Sequence, residues 1–487
     1  MLTPAEELGL TGMSLATRVR NTFFGLGREQ ILPLLDRVRE ECTRRHVVYM
    51  REGVVETVRL LPCPVTALPD QVSYIHYVSL TIQNALKRMA EIYLQDPGVR
   101  EILELTPPEQ EWLADCWGQS LTESNPVFGR LDAVVDFCSP MWKDSLKFME
   151  PNMSGIGGLH LTPTSERIVN DCVLPLLRDS DATLRLETGV DIRELLMQEV
   201  LDHFDILGHR PQSLCFLEAK YAVSGIDEQE DVAQYYHSKY GLKVMHADPS
   251  ELTLDKGVVR YQGERVDAAY RDYSVLDLIA LQQKGINVEP MRLLMKQNRM
   301  ISSIAAELDQ KAQWEIFTDP EFTLKYFSQE ERQVFKRHIL WTRVVTDRKT
   351  RLPDGSTGDL LPFIREDREQ LVLKPNRSYG GDGVAIGLAE TDESWNRAVD
   401  RAVADSNRWV VQQVATIPVV EFPVVGEDGT VHSEPFYTVL GFAPSKYGVA
   451  IMGRASQKQV VNVAQRGGMC VITVGHPPGR LVGPERV

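Results

Sequence analysis

The chain has 487 residues, of which 43% are hydrophobic and 25% charged, and this composition is that of a folded globular protein with about three domains. Its 53 basic and 68 acidic residues give a formal net charge of −15, which argues against non-specific binding to nucleic acid or to an anionic membrane surface. No stretch approaches the ~18 apolar residues that cross a bilayer, and the first residues lack a secretory signal pattern. The seven dispersed cysteines show no metal-ligand spacing, so we expect free thiols in a cytoplasmic protein.

The N-terminal part of the chain is expected to be mainly helical, with two short strands. Apolar residues at three- and four-residue spacing predict a long amphipathic helix over residues 70–105, which Asp96-Pro97-Gly98 stops, and residues 165–205 are also predicted to be helical. Between them, apolar runs at 131–137 and 146–149 predict two strands joined by a turn-rich link.

An alternation of strand and helix patterns follows in the middle of the chain. Strand patterns at 213–218 and 243–249 flank a helix pattern at 227–241, and 258–271 predicts a hairpin with a further strand. This alternation predicts a small α/β unit with a parallel sheet. Residues 300–345 are then predicted to be mostly helical.

The last part of the chain is expected to be rich in strands. Residues 346–363 predict a surface loop. The strand patterns that follow lie at 371–374, 384–388, 409–414, 437–442, 449–454 and 460–464. Taken together, these patterns predict the α/β (α+β) fold class.

A glycine-rich loop between two predicted strands is the most informative segment. The first strand ends at Lys374, and Gly380, Gly381 and Gly383 follow before the second strand begins. Glycines let the backbone approach a ligand closely with N–H groups available to phosphate oxygens, while Lys374 and Arg377 would add positive charge. The loop is neither a Walker loop nor a dinucleotide fingerprint, because GxxxxGK[ST] and GxGxxG are both absent from it. A hairpin turn with an incidental lysine is the alternative.

The segment LVLKPNRSYGGDGVAIG, at 371–387, resembles the mobile phosphate-covering loop of the ATP-grasp superfamily. The resemblance implies that Lys374 contacts the phosphates of ATP. It also implies that the loop, with Ser378 and Tyr379 beside its glycines, closes over those phosphates.

The resemblance further implies a strand that lies along the adenine base. Residues 409–418 (WVVQQVATIP) take that place, with Gln412 and Gln413 as the candidate contacts. The polar face of an edge strand is the alternative for these two glutamines.

A magnesium site is implied as well, made of an aspartate on one strand and Glu-x-Asn at the end of the next. Asp132, followed by Glu150 and Asn152, fits this pattern, and carboxylate and amide oxygens suit Mg²⁺. Glu150 and Asn152 stand two apart on a strand end, so they project to the same side. The link from Asp132 to Glu150 is several residues longer than the usual tight turn of the family. A hairpin with exposed acids is the alternative.

The order of these motifs is unusual. In ordinary ATP-grasp chains the carboxylate motif follows the glycine loop, whereas here it precedes the loop by more than 200 residues. This order resembles the circularly permuted ATP-grasp proteins, which include relatives of glutathionylspermidine synthase. The resemblance implies helices and metal-binding strands at 1–205, a pre-ATP-grasp α/β domain at 206–295 and a nucleotide-binding region at 296–487.

The same resemblance nominates further residues. ISSIAAELDQKAQWEIF resembles the segment that carries a second ATP-contacting lysine, here Lys311, and GRASQKQVVNVAQRGG resembles a closing segment that nominates Arg454 and Asn462 for phosphate or metal contact. Arg271 is the candidate for binding the substrate carboxylate or a tetrahedral intermediate, with an ordinary salt bridge as its alternative. His160 is a candidate for touching the acceptor, although a structural histidine is the commoner case.

The activity implied is that of an ATP- and Mg²⁺-dependent carboxylate–amine ligase that works through an acyl phosphate. The alternatives are an ATP-dependent phosphotransferase on the same fold and a non-catalytic scaffold. The partners expected are a small-molecule or peptide carboxylate and an amine acceptor, with no nucleic acid and no membrane. A homodimer is the default expectation for the oligomeric state.

Overall fold

The computed structural model describes residues 2–222, 224–226, 228–378, 380–405, 408–426, 430–463 and 466–477. Its helices and strands form a mixed α/β protein, which confirms the predicted fold class. Within these residues no helix is both long enough and apolar enough to cross a membrane.

The helices lie mainly in the first half and around the parallel unit. In chain order they are α1 (Pro4–Gly25), α2 (Arg28–Arg44), α3 (Pro69–Lys87), α4 (Met89–Gln95), α5 (Pro97–Ile102), α6 (Pro107–Cys116), α7 (Gln119–Glu123), α8 (Trp142–Ser145), α9 (Leu161–Cys172), α10 (Leu174–Ser180), α11 (Ile192–Ile206), α12 (Gln229–Tyr240), α13 (Val275–Gln283), α14 (Glu289–Lys296), α15 (Gln313–Thr318), α16 (Pro320–Tyr326), α17 (Gln329–His338), α18 (Leu360–Glu366) and α19 (Asp392–Ala404). Short 3₁₀ turns lie at Pro249–Glu251, Ile304–Leu308, Arg368–Gln370 and Gly387–Ala389.

The strands are distributed over the whole chain. They are β1 (Val48–Arg51), β2 (Val54–Thr57), β3 (Leu60–Ala67), β4 (Arg130–Val134), β5 (Lys147–Asn152), β6 (Leu186–Thr188), β7 (Ser213–Glu218), β8 (Gly225–Ile226), β9 (Lys243–Ala247), β10 (Leu252–Asp255), β11 (Val258–Tyr261), β12 (Glu264–Arg265), β13 (Ala268–Asp272), β14 (Met300–Ile301), β15 (Thr342–Val344), β16 (Lys349–Arg351), β17 (Thr357–Asp359), β18 (Leu371–Pro375), β19 (Ala385–Ile386), β20 (Trp409–Gln413), β21 (Val419–Val425), β22 (Val431–Ser445), β23 (Gly448–Ser456) and β24 (Gly468–Gly475).

The largest sheet combines strands from both ends of the chain. Its order is β3-β24-β23-β22-β4-β5, with β21 paired to β22 and β6 paired to β24. All five residues of β4 are buried, as expected for a strand that is covered on both faces. The carboxylate motif of β4 and β5 therefore lies in the same sheet as the C-terminal strands. The predicted domain boundaries remain a prediction.

A second, four-stranded antiparallel sheet carries the glycine loop, in the order β15-β20-β18-β19. Leu371, Leu373 and Val411 pack into a core with Trp395 of α19. Because side chains alternate across a strand, Lys374 and the residues in phase with it project from the opposite face. The face that carries Lys374 therefore points away from α19 and toward the first sheet.

The predicted small α/β unit is present, with all three neighbouring pairs parallel in the order β14-β13-β7-β9. Other local predictions were wrong in detail. The long helix expected over 70–105 is interrupted at Arg88, which separates α3 from α4, whereas the stop predicted at Asp96-Pro97-Gly98 is present, because α4 ends at Gln95 and α5 begins at Pro97. Residues 346–363 contain the β16–β17 hairpin and the start of α18. Residues 460–463 of the strand predicted at 460–464 are not in a strand.

Candidate functional site

A cavity lies between the large sheet and the four-stranded sheet. Many of the residues nominated from sequence line it, although they are scattered from position 132 to position 462. These residues are Asp132, Glu150, Lys311, Lys374, Ser378, Gly381, Gln412, Gln413, Arg454 and Asn462. The structure thus brings together the metal-type, lysine, glutamine and closing segments of the predicted site.

The register of β4 and β5 explains how the carboxylates meet. Asp132 lies directly opposite Glu150 in this antiparallel pair. The link between β4 and β5 is longer than a tight turn and contains the helix α8, which returns the chain to the paired strand. The length of the link therefore does not separate the two acids.

Asp132 is held by two guanidinium groups. Its carboxylate lies 2.9 Å from Nε of Arg130 and 2.8 Å from Nη2 of Arg454, and all three side chains are buried. Burial by itself would raise the pKa of Asp132, but the two arginines outweigh it and lower the pKa to about 2. Asp132 is therefore an ionised anchor for two arginines at the foot of the cavity.

Glu150 is more open to the cavity. Its Oε2 lies 3.4 Å from Nζ of Lys311, which also donates a 2.7 Å hydrogen bond to the carbonyl of Ser378. Asn152, in contrast, pairs with Arg130 in the ladder, donates from its amide to the Arg130 carbonyl at 3.3 Å and does not line the cavity. Glu150 is thus the more accessible of the nominated acids.

The oxygen ligands that the cavity offers suit a magnesium ion that is held mainly by the phosphates of a nucleotide. In the part of the chain that the structure describes, no group of three His, Cys, Asp or Glu side chains could hold a metal by itself. Mg²⁺ commonly uses one or two carboxylates and completes its octahedron with phosphate oxygens and water. Glu150 and the amide of Asn462 would supply protein ligands of this kind, since Asp132 is already paired with arginines.

Lys374 presents its ammonium group to the cavity from β18. Nζ donates a 2.9 Å hydrogen bond to Oε1 of Gln412, and the lysine is 9% exposed. Burial lowers the pKa of Lys374 to about 8. The positive charge of Lys311 also lowers this pKa, whereas the carboxylates of Glu150 and Asp132 raise it. An anionic ligand would stabilise the charged form of this lysine.

Arg454 supplies an independent indication of an anionic ligand. It is 4% exposed and lines the cavity, yet its Nε has no hydrogen-bond partner among the described residues. Leaving a buried charged donor unsatisfied is costly, so the site is suited to an oxygen-rich anion that would accept from it.

The cavity also has an apolar lining. Val414, Ala415 and Ile417 of this lining belong to the segment 409–418 that was predicted to lie along the adenine. The sequence analysis did not nominate the other apolar residues, which include Met149, Leu340, Val372, Ile386, Val439 and Val461. Apolar walls with a few polar groups are typical of a site for a planar heterocycle. The residues that were not nominated carry no distinguishing pattern in the sequence, so only their neighbours in space reveal them.

The glycine loop leaves β18 and returns as β19, as the sequence predicts. Gly381 and Gly383 have φ values of 79° and 74°, which favour glycine, and a Cβ on Gly381 would lie 2.6 Å from Cγ1 of Val460. Gly381 lines the cavity, whereas Gly380 and Gly383 do not. Tyr379 lies outside the described residues.

Arg271 lies outside the cavity lining and has other partners. Arg271 is fully buried, pairs with Glu307 at 2.5 Å and donates to the carbonyls of Ser302, Ser303 and Tyr273. These contacts favour the interpretation of Arg271 as a salt-bridge residue over that of a substrate-binding residue, and the salt bridge is buried rather than on the surface.

Two further nominated side chains also lie outside the cavity. Arg377 pairs with Glu109 of α6 at 2.6 Å, which directs its guanidinium to the N-terminal helices. His160 is buried and donates from Nε2 to the carbonyl of Arg45 at 2.8 Å, which favours the structural alternative.

No protein-family model matches the chain, and no curated protein sequence matches it. Among solved structures, it resembles a glutathione synthetase-like effector from Globodera pallida in its apo form, with a TM-score of 0.58 and 12% identity over 92% of this chain and 98% of that one. At this identity the likeness shows the fold alone.

Two further likenesses are too weak to carry an argument. D-alanyl-alanine synthetase A from Vibrio cholerae O1 biovar eltor matches with a TM-score of 0.26 and 9% identity over 49% of this chain and 86% of that one. A RimK domain ATP-grasp protein from Sphaerobacter thermophilus matches with a TM-score of 0.25 and 14% identity over 52% of this chain and 97% of that one.

Proposed function

We propose that the cavity between the two sheets binds ATP with Mg²⁺ and that the protein is an ATP-dependent carboxylate–amine ligase. The observation that carries this proposal is the convergence in one cavity of Glu150, Lys311, Lys374 and Arg454, which come from four separate segments. The combination of three cationic side chains, an accessible carboxylate and apolar lining residues matches the needs of a nucleoside triphosphate.

The side chains have distinct roles in this proposal. Lys374, Lys311 and Arg454 neutralise phosphate oxygens, and the backbone of the glycine loop covers them. Glu150 and Asn462 would hold Mg²⁺, which would supply further charge neutralisation at the phosphates. Asp132 keeps Arg454 in place through their ion pair. The apolar lining of the cavity, to which Gln413 adds a polar group, receives the base.

In the proposed reaction, a substrate carboxylate oxygen attacks the γ-phosphorus of ATP, and the bond to the β-phosphate oxygen breaks to release ADP. The resulting acyl phosphate is attacked by an amine, which loses a proton as inorganic phosphate departs and the amide forms. Closure of the glycine loop would keep water from the acyl phosphate. The acid is a small molecule or peptide, and the amine is a separate acceptor.

The connectivity supports a circularly permuted ATP-grasp arrangement. The β4–β5 hairpin precedes the glycine loop in the chain, yet β4 pairs with β22 beyond the loop, with Asp132 opposite Gly441. The acids therefore reach the nucleotide cavity through sheet pairing and not through sequence order.

The experiment that tests the function is a screen for ADP and phosphate release from ATP and Mg²⁺, with carboxylic acids and amines supplied singly and in pairs. A ligase produces both only when an acid and an amine are present, together with an amide detectable by mass spectrometry. A stable phosphorylated product would instead indicate a phosphotransferase. ATP binding without turnover of any pair would indicate the non-catalytic scaffold and overturn the ligase proposal.

A further inference from the structure

We propose that Gln412 is a positioning residue, whose side-chain amide fixes the ammonium group of Lys374 and ties it to the strand that carries Glu150. The inference rests on the proposed nucleotide site and assigns a residue the sequence predicted for adenine contact to a different task. It is drawn from the contacts of Gln412, which is completely buried.

The position of Gln412 follows from the register of the four-stranded sheet. It lies opposite Thr342 on β15 and opposite Val372 on β18, so the three side chains share one face. Lys374 is two residues beyond Val372 and therefore projects from that same face. Diagonal neighbours across two strands are within reach of long side chains, and Lys374 and Gln412 make such a pair. Gln412 is thus internal to the sheet, not on an edge strand.

The amide of Gln412 can be oriented in only one way by its neighbours. Nε2 donates to the carbonyl of Met149 at 3.1 Å and to Oγ1 of Thr342 at 2.9 Å. The Thr342 hydroxyl gives its own hydrogen to the carbonyl of Leu340 at 2.9 Å, so it accepts from Gln412. Oε1 therefore faces Lys374, which can only donate. A flipped amide would place its oxygen against the acceptors Met149 O and Thr342 Oγ1, and its NH₂ group against the ammonium group of Lys374, which is also a donor.

The same amide connects the two sheets that form the cavity. Met149 lies on β5 next to Glu150, whereas Gln412 and Lys374 belong to the four-stranded sheet. A bridge between Phe148 and Ile339 is a second contact between these parts of the chain. Gln412 therefore sets where the lysine lies relative to the strand of the accessible carboxylate. A lysine side chain has four flexible carbons, so without this acceptor its ammonium group is free to move.

The first test measures ATP affinity by isothermal titration calorimetry in the presence of Mg²⁺. Gln412→Leu removes the acceptor and both donors, and we expect it to weaken ATP binding about tenfold. Thr342→Val removes only the hydroxyl that orients the amide and should weaken binding by a smaller factor. Gln71→Leu is the matched control, because Gln71 on α3 is also fully buried and bridges two backbone groups but does not line the cavity. It should lower the thermal stability without changing the affinity.

The second test reads the position of Lys374 without any nucleotide. Acetylation of Lys374 by acetic anhydride is followed against pH by mass spectrometry in the wild type, Gln412→Leu and Gln412→Glu. The leucine variant should move the midpoint to lower pH, because the protonated amine loses its acceptor, and the glutamate variant should move it to higher pH. The other charged groups facing Lys374, namely Glu150 on β5, Asp132 on β4 and Lys311, are the same in all three proteins. A purely structural role would not shift the two variants in opposite directions.

These tests separate the two proposals. If the wild type does not bind ATP, the proposed function fails, while the acetylation midpoints still decide the role of Gln412. If the wild type binds ATP, an unchanged affinity in Gln412→Leu overturns the positioning role and leaves the function standing. Coincident acetylation midpoints in the three proteins also overturn it. Should the leucine variant not fold, Gln412→Glu and Thr342→Val carry the same comparison.

Discussion

Arg377, in the segment that leads into the glycine loop, is paired with Glu109 at the N-terminal end of α6, with Nη2 and Oε1 2.6 Å apart. Glu109 also accepts from the backbone N–H and the hydroxyl of Thr106, which completes a capping box. The ion pair therefore joins the N-terminal helices to the base of the loop that is proposed to cover ATP.

Breaking this pair should destabilise the protein. Glu109→Gln leaves the Arg377 guanidinium without its carboxylate, and because Glu109 is fully buried we expect a loss of about 3 kcal/mol in the free energy of unfolding, measured by urea denaturation. The control is Glu393→Gln, since the Glu393–Arg397 pair is highly exposed and worth less than about 0.5 kcal/mol. Equal effects of the two substitutions would contradict the structural importance of the Arg377–Glu109 pair.

Asp132→Asn should weaken the protein in a pH-dependent way. The pKa of Asp132 is lowered to about 2 in the folded protein, below its ordinary value of 3.8, so its ionisation adds stability above that value and loses it as pH falls toward 2. We expect the variant to unfold about 2 kcal/mol more easily at pH 7 and the difference to shrink between pH 4 and pH 2. Chemical denaturation at a series of pH values measures this. A difference that stays constant with pH would show that the two arginines do not hold the carboxylate as described.

Lys374→Met should reduce the affinity for ATP by a factor of about 10 to 100, because a charged donor to phosphate is lost. In the wild type, the pKa of about 8 means that affinity should fall as pH rises through 8 and the ammonium group loses its proton. Calorimetric titrations from pH 6.5 to 9.5 follow both effects. Lys336→Met, at an exposed position on α17, is the matched control and should bind as the wild type does. A pH dependence that persists unchanged in Lys374→Met would assign it to another group.

Glu166→Gln should stabilise the protein at alkaline pH. Burial raises the pKa of Glu166 from 4.5 to about 8, with the charge of Asp191 adding to this and that of Arg193 opposing it. The folded state therefore favours the protonated acid, and the wild type should lose stability as pH rises from 4.5 to 8. The glutamine variant mimics the neutral acid, so its melting temperature should exceed that of the wild type at pH 9 and approach it at pH 5. If neither the wild type nor the variant changed its melting temperature between pH 5 and pH 9, the result would contradict the raised pKa.

Local patterns were sufficient where a segment's structure depends on its own residues. The strand-loop-strand form of the glycine loop and the parallel unit of β7, β9 and β13 were predicted from alternation, glycines and turn residues. Prediction was wrong where neighbours decide, as at residues 460–463, of which Val460 and Val461 line the cavity in place of pairing as a strand. The helix predicted over 70–105 has an apolar stripe, and its stop at Asp96-Pro97-Gly98 was predicted correctly, but its interruption at Arg88 is not visible in that stripe.

The amino-acid sequence alone determined which residues can carry the chemistry. The lysine and glycines of the loop, the acids of β4 and β5, and the closing Arg454 are chemical types that suit a triphosphate with a metal, wherever they lie. Only the tertiary structure decided their partners. It placed Gln412 against Lys374, Asp132 between two arginines, and Arg271 inside a buried ion pair. The Asp132–Arg454 pair depends on the pairing of β4 with a strand more than 200 residues later, and the Lys374–Gln412 pair depends on the register of β18 and β20, whose two residues are 38 apart. Local periodicity carries no information about either register.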